Sequence, residues 1–462
     1  MLSVDSLESA LDQIRPERFF AVLALSAGLF LVFAYAPFEA PDEASHFWRA
    51  YHVSEGNVLS SRQGDFVGGY IPKSVAEAHL PFENLVVHPD NKVNRIALSE
   101  KLHEPFSTGD RVFVVFGFPS LYTPFVYIPQ TLGIAVGRLF DLSALKIMYA
   151  GRITNLLCWI AVVTVAIRMM PVCKWVLALV ALLPMSLSQS ASLSADGPTN
   201  AMAMLLISWI LRITIDKESR FNKHQAIAVI LLCVLVSVSK QAYAPLTGLV
   251  LLIPVARFKD RRCKRIFCAT AIVLACAATG LWSMMIRDLY MPIHGDNAPE
   301  QLSLVMAAPW NFVKIVIDTI EECWRGYVTS FIGILGFLDT SLPNWIYYSY
   351  PFVLIGTALF DRGCGEPMDG KQRLWMVAIC IGVFLLIELS MYLTWTKPGE
   401  EIIDGVQGRY FLPIAVPVLL ALFYNRKFKS PAGALGPLII ATYPIVVLVA
   451  TCLRLYERYW HI

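Results

Sequence analysis

Residues 19–37 read FFAVLALSAGLFLVFAYAP, and residues 38–51 continue FEAPDEASHFWRAY. The first stretch is apolar and about as long as a helix that crosses a bilayer, which needs roughly 20 mostly apolar residues. The second brings Asp42 and Glu43 just past its end. A carboxylate pair at that position lies at the water interface, where it stays ionised and can meet polar groups carried by lipids. The segment before the run, Met1 to Arg18, carries four acids and two arginines. It has no basic leader and no small-residue cleavage site, so residues 19–37 are read as a retained span.

The rest of the chain agrees with a membrane setting. It is 56% hydrophobic and 16% charged, with a mean hydropathy of +0.57. That balance excludes an ordinary soluble domain. A net charge of +3 gives no basic surface for nucleic acid. The ten cysteines are scattered, with no CxxC and no zinc-ligand spacing, and read as small buried hydrophobes. No glycine loop of the nucleotide-binding kind occurs.

Apolar runs near 19–37, 149–168, 175–191, 198–214, 225–239, 242–256, 266–287, 344–360, 374–394, 409–424 and 434–453 are candidate spans. The basic loops between them mark the cytoplasmic side. The strongest is Arg257 to Arg265. Arg168 with Lys174, the set Arg212, Lys217, Arg220 and Lys223, the set Arg362, Lys371 and Arg373, and the set Arg426, Lys427 and Lys429 support it. Strict alternation then puts the N-terminus inside and two large loops outside, residues 38–148 with interfacial helices and residues 288–342. Two further apolar stretches, Pro119–Phe140 and Tyr327–Leu338, are read as re-entrant or interface-lying helices. The first is interrupted by Pro124 and Pro129, and the second is too short to cross. The expectation is an all-α polytopic membrane protein, a single integral membrane domain over residues 1–462 with about 11 to 13 transmembrane helices. The hydropathy of its two halves does not match, unlike transporters built from inverted repeats.

Four places carry polar groups that packing explains poorly. Pro41 to Val53 reads as a short amphipathic helix with Pro41 at its first position and the acids at the positive end of the dipole. Asp42, His46 and Arg49 then share a face at i, i+4, i+7. The bland alternative is an interfacial helix whose acids merely favour its N-terminus. Asp196 lies in the small, hydroxyl-rich stretch Ser188 to Pro198 between two spans, where small residues permit close approach to the backbone; a plain Asp-Gly-Pro turn is the alternative. Lys240 interrupts an apolar region, and Arg409 opens a span, flanked by Gln407, Gly408 and Tyr410. A cation at the membrane edge is costly unless paired, and phosphate is a natural partner. Snorkelling to headgroups is the alternative for both and fits Lys240 the better. Arg138 and Arg152 flank a turn, Glu388 sits in an apolar run, and His88, His103, Glu104 and His294 read as ordinary loop residues.

The block Ala40 to Tyr51, followed by Ser54-Glu55-Gly56, resembles the signature of a family of uncharacterised bacterial polytopic membrane proteins: proline, two acids, then His-Phe after the first span. Gly151 to Asn155, Gly333 to Pro343 and Gly405 to Pro413 resemble later blocks of that family. More distantly, the layout is similar to the integral-membrane glycosyltransferases of the C superfamily (GT-C). That resemblance implies a polyprenyl-phosphate sugar donor, a glycan or lipid-linked acceptor, and a catalytic acid in the first external loop, the position of Asp42 with Glu43 beside it. Asp196 falls where some members carry a second acid, and Arg409 where a cation binds the lipid phosphate. His46, Arg49, Lys240, Gln407 and Tyr410 join the candidate substrate-binding set. The Asp-x-Asp form is absent, so neither a metal nor another cofactor is assigned. Location in a bacterial inner membrane follows from the same resemblance.

Two other classes fit the composition. A transporter or flippase for a polyprenyl-linked saccharide predicts ionisable groups deep in several spans, for which Lys240 and Glu388 are the few candidates. A non-catalytic component of glycan assembly predicts that Asp42 and Glu43 tolerate amide substitution.

Overall fold

A computed structural model describes residues 14–216, 221–292, 298–360, 368–424 and 435–460. The basic markers Lys217, Arg220, Arg362, Arg426, Lys427 and Lys429 lie outside the described residues, as do His294, Cys364 and most of the segment before Arg18. The chain is an all-α polytopic membrane protein. Among the described residues, six helices are long and apolar enough to cross a membrane: Pro16–Ala34, Ala144–Met169, Asp196–Ile215, Arg261–Leu289, Gly370–Thr394 and Gly436–Tyr459. Several of the other apolar runs fold as shorter or broken pieces. Residues 175–191 divide into the helices Lys174–Ala181 and Pro184–Ser190. Pro184 has no N–H to continue the first and starts the second. Residues 241–252 form a 3-10 helix containing Pro245, and residues 344–360 a 17-residue helix containing Pro351.

Of the two stretches read as re-entrant or interface-lying, Pro119–Phe140 becomes two 3-10 turns and the 12-residue helix Ile128–Leu139, too short to span. Tyr327–Leu338 is a correction. Its first half continues the helix Pro309–Ile332, and its second half turns into a hairpin pairing Ile334–Leu335 with Thr340–Ser341. The helix Ala298–Ala307 meets Pro309–Ile332 at 107°, where Pro309 interrupts the backbone ladder.

The first span packs along Ala144–Met169 and the C-terminal helix. Gly28 permits the closest approach: a methyl group there would lie 2.7 Å from the Leu156 side chain. Between these helices and the rest, residues 38–148 fold into more than interfacial helices. Ser61–Gln63, Phe66–Pro72 and Arg111–Val115 make an antiparallel sheet in that order. Its central strand carries Gly68 and Gly69, which break the alternation that would have announced it. Gly68 sits so close to the Val114 carbonyl that a side chain would collide at 1.7 Å.

The C-terminal helix fastens this loop. Arg458 donates to Asp339 Oδ2 at 2.7 Å, to the Leu85 carbonyl at 2.7 Å and to the Asn91 carbonyl at 3.1 Å. Lys92 Nζ reaches the Glu457 carbonyl at 2.6 Å. Glu39 lies beside this clamp, 1% exposed. Burial pushes its carboxyl up to about 8, against the pull of Arg458, with Asp339 and Glu43 adding to the rise and Arg152 opposing it. A carboxyl raised on folding stabilises the folded state at low pH, and that contribution fades as pH climbs through the folded value. The thermal midpoint of the detergent-solubilised protein should therefore fall between pH 4.5 and about 8, and Glu39→Gln should flatten that slope. Identical pH profiles for the two proteins would refute the assignment.

Candidate functional site

The helix expected from Pro41 begins instead at Glu43 and runs to Ser54. The Glu43 N–H turns back to the Ala40 carbonyl at 3.1 Å, and Asp42 adopts left-handed backbone angles (φ 58°, ψ 17°). Aspartate tolerates that region better than most side chains. Asp42 is thereby out of helical phase, so Asp42, His46 and Arg49 do not share one face as their spacing suggested. Asp42 and His46 line a cavity of about 530 Å³. Arg49 does not: fully buried, it donates to the Val58 carbonyl at 2.6 Å and to His52 Nδ1 at 3.2 Å, holding the end of its own helix to the next loop.

Glu43 also leaves the cavity. Its carboxylate takes two bonds from Arg152, through Nε at 2.8 Å and through Nη2, and one from the Leu193 N–H at 3.1 Å. Arg152 spends its remaining donors on the Val32, Tyr35 and Ala36 carbonyls at 2.8, 3.2 and 3.0 Å. Both side chains are wholly buried. The expected pair of catalytic carboxylates is thus divided: Asp42 faces the cavity, while Glu43 is a structural tie. Arg152, passed over as a residue near a turn, is the centre of this network. The signal was present, since an arginine inside an apolar run demands a buried partner.

The Ser188–Asp196 stretch is held by the same neighbourhood. Asn155 Nδ2 donates to the Ser192 carbonyl at 2.7 Å, and Gln130 Nε2 to the Ser194 carbonyl at 3.1 Å. The close approach that its small residues permit is made by Glu43. At its end, Asp196 enters the cavity wall and gathers three partners. Lys240 Nζ lies 3.3 Å from Oδ1, Arg409 Nε 3.9 Å from Oδ2, and Gln189 Nε2 donates at 3.0 Å. The snorkelling reading of Lys240 is therefore replaced by an ion pair, and its ammonium also stands over the Tyr410 ring at 4.1 Å. Arg409 is 8% exposed, and its Nε has no hydrogen-bond partner among the described residues.

Arg409 is aimed by its neighbour. The Gly408 N–H donates to Ser330 Oγ at 2.7 Å, and a side chain at Gly408 would meet the Tyr327 carbonyl at 1.9 Å, so glycine is required. Gln407 and Tyr410 complete this side of the cavity. On the other side, His46 Nδ1 hydrogen-bonds the Tyr127 hydroxyl at 2.8 Å and its ring stacks on Tyr122 at 6.1 Å. Burial lowers the His46 pKa below its ordinary value, with Asp42 and Asp196 opposing that shift and Arg409 adding to it. Leu386, Ile387, Leu389 and Leu393, with Ile286 opposite, form an apolar wall. Glu388 turns away from that wall to Tyr327, whose hydroxyl donates at 3.1 Å. Tyr122, Ser194 and Trp395 also line the cavity and carried no sequence signal beyond their residue types. Among the described residues, no three His, Cys, Asp or Glu side chains form a group that could hold a metal ion.

A family model described as Predicted membrane protein (DUF2142) matches residues 25–418. The chain belongs to this family. All the cavity residues named above fall within the matched region, whereas the C-terminal helix lies beyond it. No curated protein and no solved structure matches the chain.

Removing one partner of a buried ion pair leaves the other charge unpaired, typically at a cost of roughly 3–5 kcal/mol. Arg152→Met should therefore lower the yield and melting temperature of the protein sharply. Glu43→Gln in the same chain should restore part of the loss. A double variant as unstable as the sum of the two single variants would refute coupling between them.

Proposed function

We propose that the protein is a membrane glycosyltransferase. It moves a sugar from a polyprenyl-phosphate donor to a cell-surface glycan or lipid-linked acceptor, on the external face of a bacterial inner membrane with the N-terminus in the cytoplasm. One observation carries this reading: a single cavity is lined by a carboxylate, Asp42, a pair of cations, Lys240 and Arg409, and apolar side chains. Among the described residues no side chain hydrogen-bonds or ion-pairs with the Asp42 carboxylate. An acid without a hydrogen bond in the cavity wall is available to a ligand, although Arg409 and His46 feel its charge, and buried cations suit the phosphate of a lipid whose chain follows the wall.

The reaction is a single displacement. Asp42 accepts the proton of an acceptor hydroxyl as its oxygen attacks the anomeric carbon. The bond from that carbon to the phosphate oxygen breaks, and its electron pair leaves with the lipid phosphate. Lys240 and Arg409 stabilise the charge that develops there, and the anomeric configuration inverts. His46, bonded to Tyr127, orients groups beside Asp42. Glu43 acts at one remove, by fixing the turn on which Asp42 stands.

Mass spectrometry of surface glycans from a deletion strain tests this reading. Wild-type protein should restore the lost sugar, and Asp42→Asn at matched expression should not. Full restoration by Asp42→Asn would remove the base and favour transport of a polyprenyl-linked saccharide or a non-catalytic role. In membranes, chelation with EDTA is expected to leave transfer unchanged; strong inhibition reversed by a divalent cation would make Asp196 a metal ligand instead.

A further inference from the structure

The cation pair of the cavity is not open for a ligand to neutralise freely, because Asp196 is already there. Its carboxylate is fixed from behind: Gln189 donates to it at 3.0 Å, and Asn200 Nδ2 in turn donates to Gln189 Oε1 at 3.0 Å. Asp196 therefore cannot swing aside as a displaceable stand-in for phosphate. Lys240 and Arg409 contribute two positive charges and Asp196 removes one, which leaves the subsite with a single net positive charge. Asp42, also in the cavity wall, lowers the positive potential further. Arg409, 8% exposed and lining the cavity, turns its Nε toward Asp196 Oδ2 at 3.9 Å.

We infer that Asp196 selects the charge of the lipid headgroup, matching the subsite to a singly charged phosphodiester and disfavouring headgroups with two or more negative charges. This rests on the reading of the cavity as the site of the donor phosphate. Two opposing dependences on charge set this preference. Attraction to the subsite grows in proportion to ligand charge, whereas the penalty for taking that charge out of water grows as its square. A weakly positive site therefore favours one negative charge, and a strongly positive site favours two.

One consequence bears on the donor. A sugar joined to its lipid through one phosphate carries a single negative charge and fits, whereas a diphosphate-linked sugar carries more and is rejected. Asp196 on this account touches the cations rather than the sugar.

The test uses the purified full-length protein in neutral detergent at pH 8 and two probes with the same chain: farnesyl methyl phosphate, singly charged, and farnesyl phosphate, doubly charged. Calorimetry should find that the wild type binds the singly charged probe at least as tightly. In Asp196→Asn the subsite gains a positive charge, and affinity for farnesyl phosphate should rise on the order of tenfold relative to the other probe. An unchanged ratio of affinities would overturn the inference while leaving the phosphate site standing. Failure of the wild type to bind either probe would overturn both the inference and the donor-site reading. Lys240→Met provides a second arm if Asp196→Asn does not fold. It brings the subsite to zero net charge and should weaken both probes, the doubly charged one more; wild-type affinities in that variant would equally overturn the inference.

Discussion

Everything around the cavity depends on keeping Arg152 charged inside the bundle. A guanidinium in a low-dielectric interior is tolerable only when its donors are satisfied and its charge is paired. The chain meets both demands with one piece of backbone. The Val32, Tyr35 and Ala36 carbonyls belong to the end of the first span, where a helix leaves carbonyls without internal partners. Arg152 bonds all three and places its charge at the negative end of the helix dipole. Its remaining donors require Glu43, only a few residues further on. The chain must therefore double back under the end of its own helix, and Phe38 and Asp42 take left-handed backbone angles in doing so.

That reversal governs more than the first loop. Glu43 also accepts the Leu193 N–H, so the buried pair draws the Ser188–Asp196 stretch toward the turn that carries Asp42. One ion pair thus brings two acids, far apart in sequence, to a single cavity. The cations arrive by another route. Lys240 stands where the Lys223–Ser239 helix gives way to a 3-10 helix, and Arg409 at the start of the Gly408–Phe423 segment. The site is built from the ends of elements, as a membrane demands: side chains there combine a rigid base with access to water, whereas the middle of a span offers neither.

The sequence made the class of the protein legible, because hydropathy and basic loops report the solvent that surrounds each segment. It made the polar centre partly legible. Asp42, Asp196, Lys240 and Arg409 stood out as charges that packing would not choose, and they meet in one cavity. The central strand of the three-stranded sheet was hidden by Gly68 and Gly69, whose role is close backbone approach rather than alternation. Arg49 was grouped with Asp42 because helical spacing was extended through Asp42, and Glu43 because it stands beside it; no local pattern announces a single residue in left-handed conformation. The number of full-length spans was hard to read because apolarity sets burial, not continuity. Proline at 184 and 245 breaks helices whose composition alone would let them run on.

Adjacent carboxylates in a membrane protein invite treatment as a unit, yet here their backbone separates them. A regular helix turns each residue about 100° from the last, so both acids of a pair can reach the same groove. The left-handed step at Asp42 and the helical start at Glu43 send the side chains to opposite sides of the turn. One acid is consumed in satisfying a buried cation, and its charge is thereby cancelled. The other stands in the cavity wall beside His46, within the field of Arg409. The same interaction that shapes the turn therefore gives two neighbouring acids different surroundings, a buried guanidinium for Glu43 and the cavity for Asp42.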